Sequence, residues 1–149
     1  GVKPRALARG SLEQADFFTD EWNKRGLQTA KEYAILTAEI SQATFGMIPS
    51  EYKKFKGLQK ENLRDHMEDI ELILTMLGEA TTTRFSRERD SKEFSKLKKD
   101  AKDGGDVAGS TRKDIEKKLG KSVISSGNFL EQPEEQKRLH YKKKKDGNL

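Results

Sequence analysis

The chain contains no cysteine, which excludes disulfide scaffolds, thiol nucleophiles and cysteine-based zinc sites together. That composition fits a reducing, cytoplasmic setting. There are only two histidines, His66 and His140, and a metal centre would need both of them joined by carboxylates. No apolar run approaches the roughly 18 residues that cross a bilayer, and no segment has the apolar core of a signal peptide. A membrane partner is therefore not expected. Apolar residues fill only 32% of the 149 positions and charged residues 37%, so a core can form over part of the length only.

What the chain has in quantity is charge, unevenly placed. Gly1 to Thr83 holds 11 Lys/Arg against 13 Asp/Glu, and Arg84 to Leu149 holds 19 against 12. The first part reads as the folding unit and the second supplies attraction to phosphates. The first residue is Gly1 rather than Met, which fits a piece of a longer protein. The expected organisation is a flexible N-terminus over 1–10, a helical domain over 11–130 and a disordered basic tail over 131–149 that carries the run Lys142 to Lys145. Within the domain, 11–90 reads as core and 91–130 as a basic helical extension.

Helical spacing dominates the apolar pattern. Ser11 with Gln14 forms a capping box ahead of Leu12, Ala15, Phe18 and Trp22, and Gly26 is a natural stop. Thr29 with Glu32 opens a second helix whose stripe is Tyr33, Leu36, Ile40 and Ala43, closed by Gly46. A short helix starts at Pro49 and Ser50, carries Tyr52 and Phe55, and ends at Gly57. Asp65 with Glu68 is expected to cap the longest helix, which runs to Phe85 through Ile70, Ile73, Leu74, Leu77 and Thr81. Leu72 and Met76 widen its apolar surface beyond one stripe, so it is either a central core helix or one with a second face for a partner. A helix from Ser91 is expected to break at Gly104 and Gly105, with a last one from Asp106 to Leu119 stopped by Gly120. Val123 and Ile124 could be extended but have no partner strand. The fold class is all-α: five to six helices around one long central helix.

No constellation of catalytic type stands out. Gly104 to Thr111 has the glycine spacing of a phosphate-binding loop, but Ser110 stands where that motif needs lysine, and a lysine-rich helix precedes it where a buried strand belongs. His66, Asp65, Glu68 and Asp69 read as helix-start electrostatics. Glu68, Asp69, Glu71 and Glu79 read as solvated faces, and Thr81, Thr82 and Thr83 as packing or capping groups. No catalytic residue, cofactor or metal ligand is nominated, and an enzyme is not expected. The basic clusters are the candidates for nucleic-acid contact. Tyr52, Lys53, Lys54, Phe55, Lys56 and Lys60 interleave aromatics with lysines. The helix from Thr29, the turn at Gly46 and the short helix after Ser50 sketch a helix-turn-helix. Lys92, Lys96, Lys99 and Lys102 share a face, and with Lys98 offer a sequence-independent, salt-sensitive surface.

Phe45-Gly46, Lys56-Gly57-Leu58, Asn62-Leu63-Arg64-Asp65-His66-Met67 and Thr75-Met76-Leu77-Gly78-Glu79-Ala80-Thr81-Thr82 are followed by Gly104-Gly105, Ala108-Gly109, Arg112, Gly120-Lys121-Ser122-Val123 and Asn128-Phe129-Leu130. Over about Leu27 to Leu130 this wording resembles the region downstream of the Bro-N or KilA-N module in phage antirepressor-like and DNA-damage-inducible-protein-D-like proteins. The resemblance implies a prophage or damage-response regulator whose upstream module supplies DNA binding, and it implies no catalytic residues for this region. The expected function is a non-catalytic accessory domain acting on DNA or on a protein partner such as a repressor or repair protein. The alternative is an interaction or oligomerisation module using Leu72 and Met76, without nucleic-acid contact. A nucleotide-binding enzyme is the third reading, resting on Gly104 to Thr111 alone.

Overall fold

The Thr29–Glu32 box forms as the spacing predicts. Thr29 Oγ1 accepts from the Glu32 amide at 3.1 Å and Glu32 Oε1 accepts from the Thr29 amide at 3.3 Å, satisfying donors that a helix start leaves orphaned. It opens α1, Ala30–Phe45, which ends where Gly46 turns left-handed at φ +75°. Pro49 then opens α2, Pro49–Phe55. A 3₁₀ turn, Leu63–His66, leads to α3, Asp69–Arg89, and α4, Phe94–Leu119, completes the helices. The computed structural model describes residues 20–27 and 29–130. Residues 20–24 are helical, 120–130 form an irregular strap, and no strand occurs among the described residues. The all-α expectation holds. The capping box at Ser11, the N-terminus over 1–10 and the tail over 131–149 lie outside the described residues.

Three sequence expectations need correction. The long helix begins four residues later than Asp65, because residues 63–66 take the 3₁₀ turn and Glu68 becomes the cap, its amide donating to Glu71 Oε1 at 3.0 Å. It also runs past Phe85 to Arg89, held by polar contacts that an apolar stripe cannot reveal: Ser86 Oγ donates to Asp100 at 2.8 Å, and Arg89 reaches Asp100 at 2.8 Å and Asp103 at 2.9 Å. Most consequentially, Gly104 and Gly105 do not break anything. Residues 94–119 form one continuous helix.

The reason lies in the packing of α4. It lies against α1, where Gly105 and Gly109 face Ile40, Ala43 and Thr44, and against α3, where Gly104 faces Thr82. The order of these contacts makes α1 and α4 parallel and α3 antiparallel to both. A Cβ on Gly105 would fall 2.6 Å from Ala43 Cβ, and one on Gly109 would fall 2.3 Å from the Ala43 carbonyl oxygen. Hydrogen side chains let the backbones touch. Each glycine costs roughly 1 kcal/mol of helix propensity relative to alanine, offset by dense van der Waals contact at the crossing. The segment 91–130 is thus no extension. Leu97, Ala101 and Ala108 are fully buried, and α4 makes the most extensive contacts with both α1 and α3.

Apolar residues gather in two clusters on either side of this small-residue crossing. Trp22, Leu27, Leu36, Ile40, Leu97 and Ala101 form one, with Tyr33 and Phe94 against it. Phe45, Tyr52, Met67, Leu72, Leu74 and Val123 form the other, where Val123 carries the strap into the core as a single inserted side chain rather than a strand. Thr82 and Thr83 are buried and return their hydroxyls to the carbonyls four residues back, at 2.7 and 3.0 Å.

Candidate functional site

The lysines proposed for nucleic-acid contact divide sharply. Tyr52 and Lys56 share the inner face of α2 and are 0% and 1% exposed, whereas Lys54 and Phe55 face outward and Lys53 is half-buried. With only seven residues and its middle tied inward, α2 cannot serve as the recognition element of a helix-turn-helix, which needs an outward surface to enter a groove. On α4, by contrast, Lys96, Lys98, Lys99 and Lys102 are all exposed. Lys113 and Lys117 continue that outward face about three and four turns beyond Lys102; the expected break at Gly104 hid this, since it separated them from the first lysines. Lys99 and Lys102 meet Asp103 and Asp106 at 3.6 and 3.9 Å, exposed pairs of small energetic weight. Lys96, Lys98, Lys113 and Lys117 have no carboxylate partner among the described residues.

The residues proposed for a partner interface also separate. Leu72 is completely buried in the second cluster and Met76 is half-buried, so Leu72 has no surface to offer. The exposed apolar side chain on that helix is Ile73. Gly104 to Thr111 lies wholly inside α4, where its amides are engaged in i→i−4 bonds and cannot cradle a phosphate.

Two carboxylates expected at the solvated surface, Glu71 and Glu79, are instead inside, 0% and 3% exposed. Glu71 sits in a closed polar network. Tyr52 donates its hydroxyl to Oε2, and Lys56 Nζ donates to Oε1 at 3.1 Å. The same ammonium donates to the Ser125 carbonyl at 2.6 Å and the Gly127 carbonyl at 3.1 Å, tying the strap to α2. Asn128 donates to the Lys56 carbonyl at 2.6 Å. The Phe129 amide donates to His66 Nδ1 at 3.0 Å, with the two rings stacked at 6.2 Å. His66 is thus a strap anchor rather than a helix-start charge. The signal that could have flagged Lys56 was its i, i+4 spacing from buried Tyr52.

Burial raises the Glu71 carboxyl to about 7, opposed by hydrogen bonds from the Glu68 and Ser125 backbone. Burial likewise lowers the Lys56 ammonium to about 8. Because Glu71 titrates at about 4.5 when solvated, the folded chain keeps a proton that the unfolded chain has released between those values. Stability from this group is complete below about 4.5, falls as pH rises and is lost above about 7. Urea denaturation from pH 4.5 to 8 should show this loss in the native chain and a smaller one in Glu71→Gln; parallel profiles would remove Glu71 as a source.

The second inward carboxylate, Glu79, pairs through Oε1 with Arg64, while Oε2 has no hydrogen-bond partner among the described residues. Burial raises its carboxyl above the usual range and Arg64 opposes the rise. It lines a cleft of about 470 Å³ between α1, α2, the 3₁₀ turn and α3, together with Lys53, Lys60 and Arg64. Among the described residues, no group of three or more His, Asp or Glu is placed to hold a metal ion.

The described residues thus form an all-α domain with a lysine-rich helix face and a polar cleft at Glu79, and among them no helix is long and apolar enough to cross a membrane. No family model, curated protein or solved structure matches the chain.

Proposed function

We propose that this chain is a non-catalytic accessory domain of a phage-type antirepressor or DNA-damage-response protein, working in the cytoplasm and contacting the DNA backbone through the outward face of α4. One observation carries the reading. A single helix of 26 residues presents Lys96, Lys98, Lys113 and Lys117, none of which is ion-paired to a carboxylate among the described residues, although Asp103, Asp106 and Asp114 pair with Lys99, Lys102 and Lys118 on the same helix. A helix rises 1.5 Å per residue, so this face spans several phosphates of a duplex. The wording shared with the region after the Bro-N/KilA-N module supports the same setting. Lys53 and Lys54 lie on another part of the surface, and Lys56 is withdrawn from it, so neither is needed for this contact.

Phosphate contacts of this kind release counterions, and log K then falls with log salt at a slope of about −0.9 per contact. Fluorescence anisotropy with a duplex at several salt concentrations should show salt-weakened binding that is indifferent to sequence. Replacing Lys96, Lys98, Lys113 and Lys117 by Gln should flatten the slope by roughly 3 to 4. Absent binding at low salt, or an unchanged slope in the variant, would dismiss the α4 face as the contact surface.

A further inference from the structure

The Glu79 cleft is built differently from the α4 face and carries an inference that does not depend on it. Its walls are apolar where Ile40, Phe45 and Met67 line it, and its volume falls in the range of small-molecule sites. Glu79 is 3% exposed, with one oxygen held by Arg64 and the other unmet. A buried acceptor without a donor is costly and rare. Around the opening stand Lys53, Lys60 and Arg64, and neither lysine has a carboxylate partner among the described residues. Three cations against one carboxylate leave the cleft positive.

These features ask for an occupant with three parts. It needs an N–H edge to meet Glu79 Oε2, a flat apolar body to lie against Phe45 and Met67, and an anionic group for the lysines. Inorganic phosphate supplies only the last and is repelled by Glu79. An aromatic amino acid has a flat body, but it carries its ammonium and carboxylate on one carbon, too close together to reach buried Glu79 and the lysines at the opening with the ring between them. A nucleotide supplies all three: the base edge carries N–H donors, the ring is planar and the phosphate is anionic. We propose that this cleft binds a nucleotide, its base N–H edge on Glu79 and its phosphate on Lys53 and Lys60. A free monophosphate and one unit of a single strand whose base is unstacked into the cleft present the same chemistry to this site.

Isothermal titration with the four nucleoside 5′-monophosphates, their nucleosides, inorganic phosphate and a short single-stranded oligonucleotide tests this. At least one monophosphate or the oligonucleotide should bind, and the matching nucleoside should bind more weakly. Glu79→Gln keeps the shape but turns an NH₂ donor toward the base, and should weaken binding by between about tenfold and a hundredfold. Lys53→Gln/Lys60→Gln changes only side chains at the rim and should erase the advantage of nucleotide over nucleoside. Binding of the oligonucleotide alone, still abolished by Glu79→Gln, identifies the strand as the source; monophosphate binding identifies the free nucleotide. The α4 lysine variants should leave monophosphate binding, and the part of oligonucleotide binding that Glu79→Gln removes, unchanged, which separates this site from the duplex contact. No binding at millimolar concentration, equal binding of inorganic phosphate, or affinity indifferent to both cleft variants overturns the proposal.

Discussion

Lys56→Ala is expected to destabilise the fold by about 3–5 kcal/mol, because it leaves Glu71 buried without its counter-charge. The ammonium is 1% exposed and makes three contacts, to Glu71, to the Ser125 carbonyl and to the Gly127 carbonyl. Truncation removes all three donors together, and alanine cannot fill the volume. The loss should not be uniform. Amides of the strap over 120–130 should lose hydrogen-exchange protection first, since Lys56 is their main tether to α2. The double variant Lys56→Met/Glu71→Leu removes both charges and keeps apolar bulk, so it should recover much of the loss. Chemical denaturation of the three proteins measures this. A single variant within about 0.5 kcal/mol of the native chain, the usual range for surface positions, would show that the pair is not closed to solvent.

The second large effect has the opposite sign from the one helix propensity suggests. Gly104→Ala in an ordinary helix interior would stabilise by roughly 1 kcal/mol. Here the new Cβ would stand 2.0 Å from Thr82 Oγ1 and 2.7 Å from the Thr82 backbone nitrogen. The hydroxyl cannot simply turn away, because backbone atoms of α3 lie behind it, so the helices must separate. Overpacking of this kind costs about 1–3 kcal/mol, and net destabilisation is the expected result. Adding Thr82→Ala should relieve part of it by removing the nearest atom. A rise in Tm on Gly104→Ala would mean that residues 104–105 are the flexible break suggested by their composition, and that α4 is not one helix.

Helix ends were legible from residues close together in the chain. Thr29 and Glu32 cap α1 as read, and Gly46 and Gly120 stop α1 and α4 in the left-handed conformation. Gly26 adopts the positive φ expected of a stop as well. The start of α3 misled because Asp65–Glu68 and Glu68–Glu71 both have capping spacing. Local pattern alone does not choose between them; the 3₁₀ turn that carries His66 toward Phe129 does. The candidate site was less legible. Lys53, Lys54 and Lys56 look alike in sequence, yet only Lys56 meets a carboxylate and two carbonyls inside. Lys113 and Lys117 joined the basic face only when α4 proved continuous.

The sequence by itself determined the all-α class, most helix boundaries, the excess of lysine in the second half and the absence of cysteine chemistry. Those properties follow from composition and from contacts three or four residues apart, which any short stretch specifies on its own. The tertiary structure alone decided that Gly104, Gly105 and Gly109 are points of backbone approach, that Glu71 and Glu79 are buried, and which lysines remain outside. Each of those outcomes depends on a partner far along the chain: Thr82 for Gly104, Ala43 for Gly109, and Ser125, 69 residues from Lys56. A glycine's neighbours and a carboxylate's solvent are set by what packs against them, and that is decided only when α4 settles between α1 and α3.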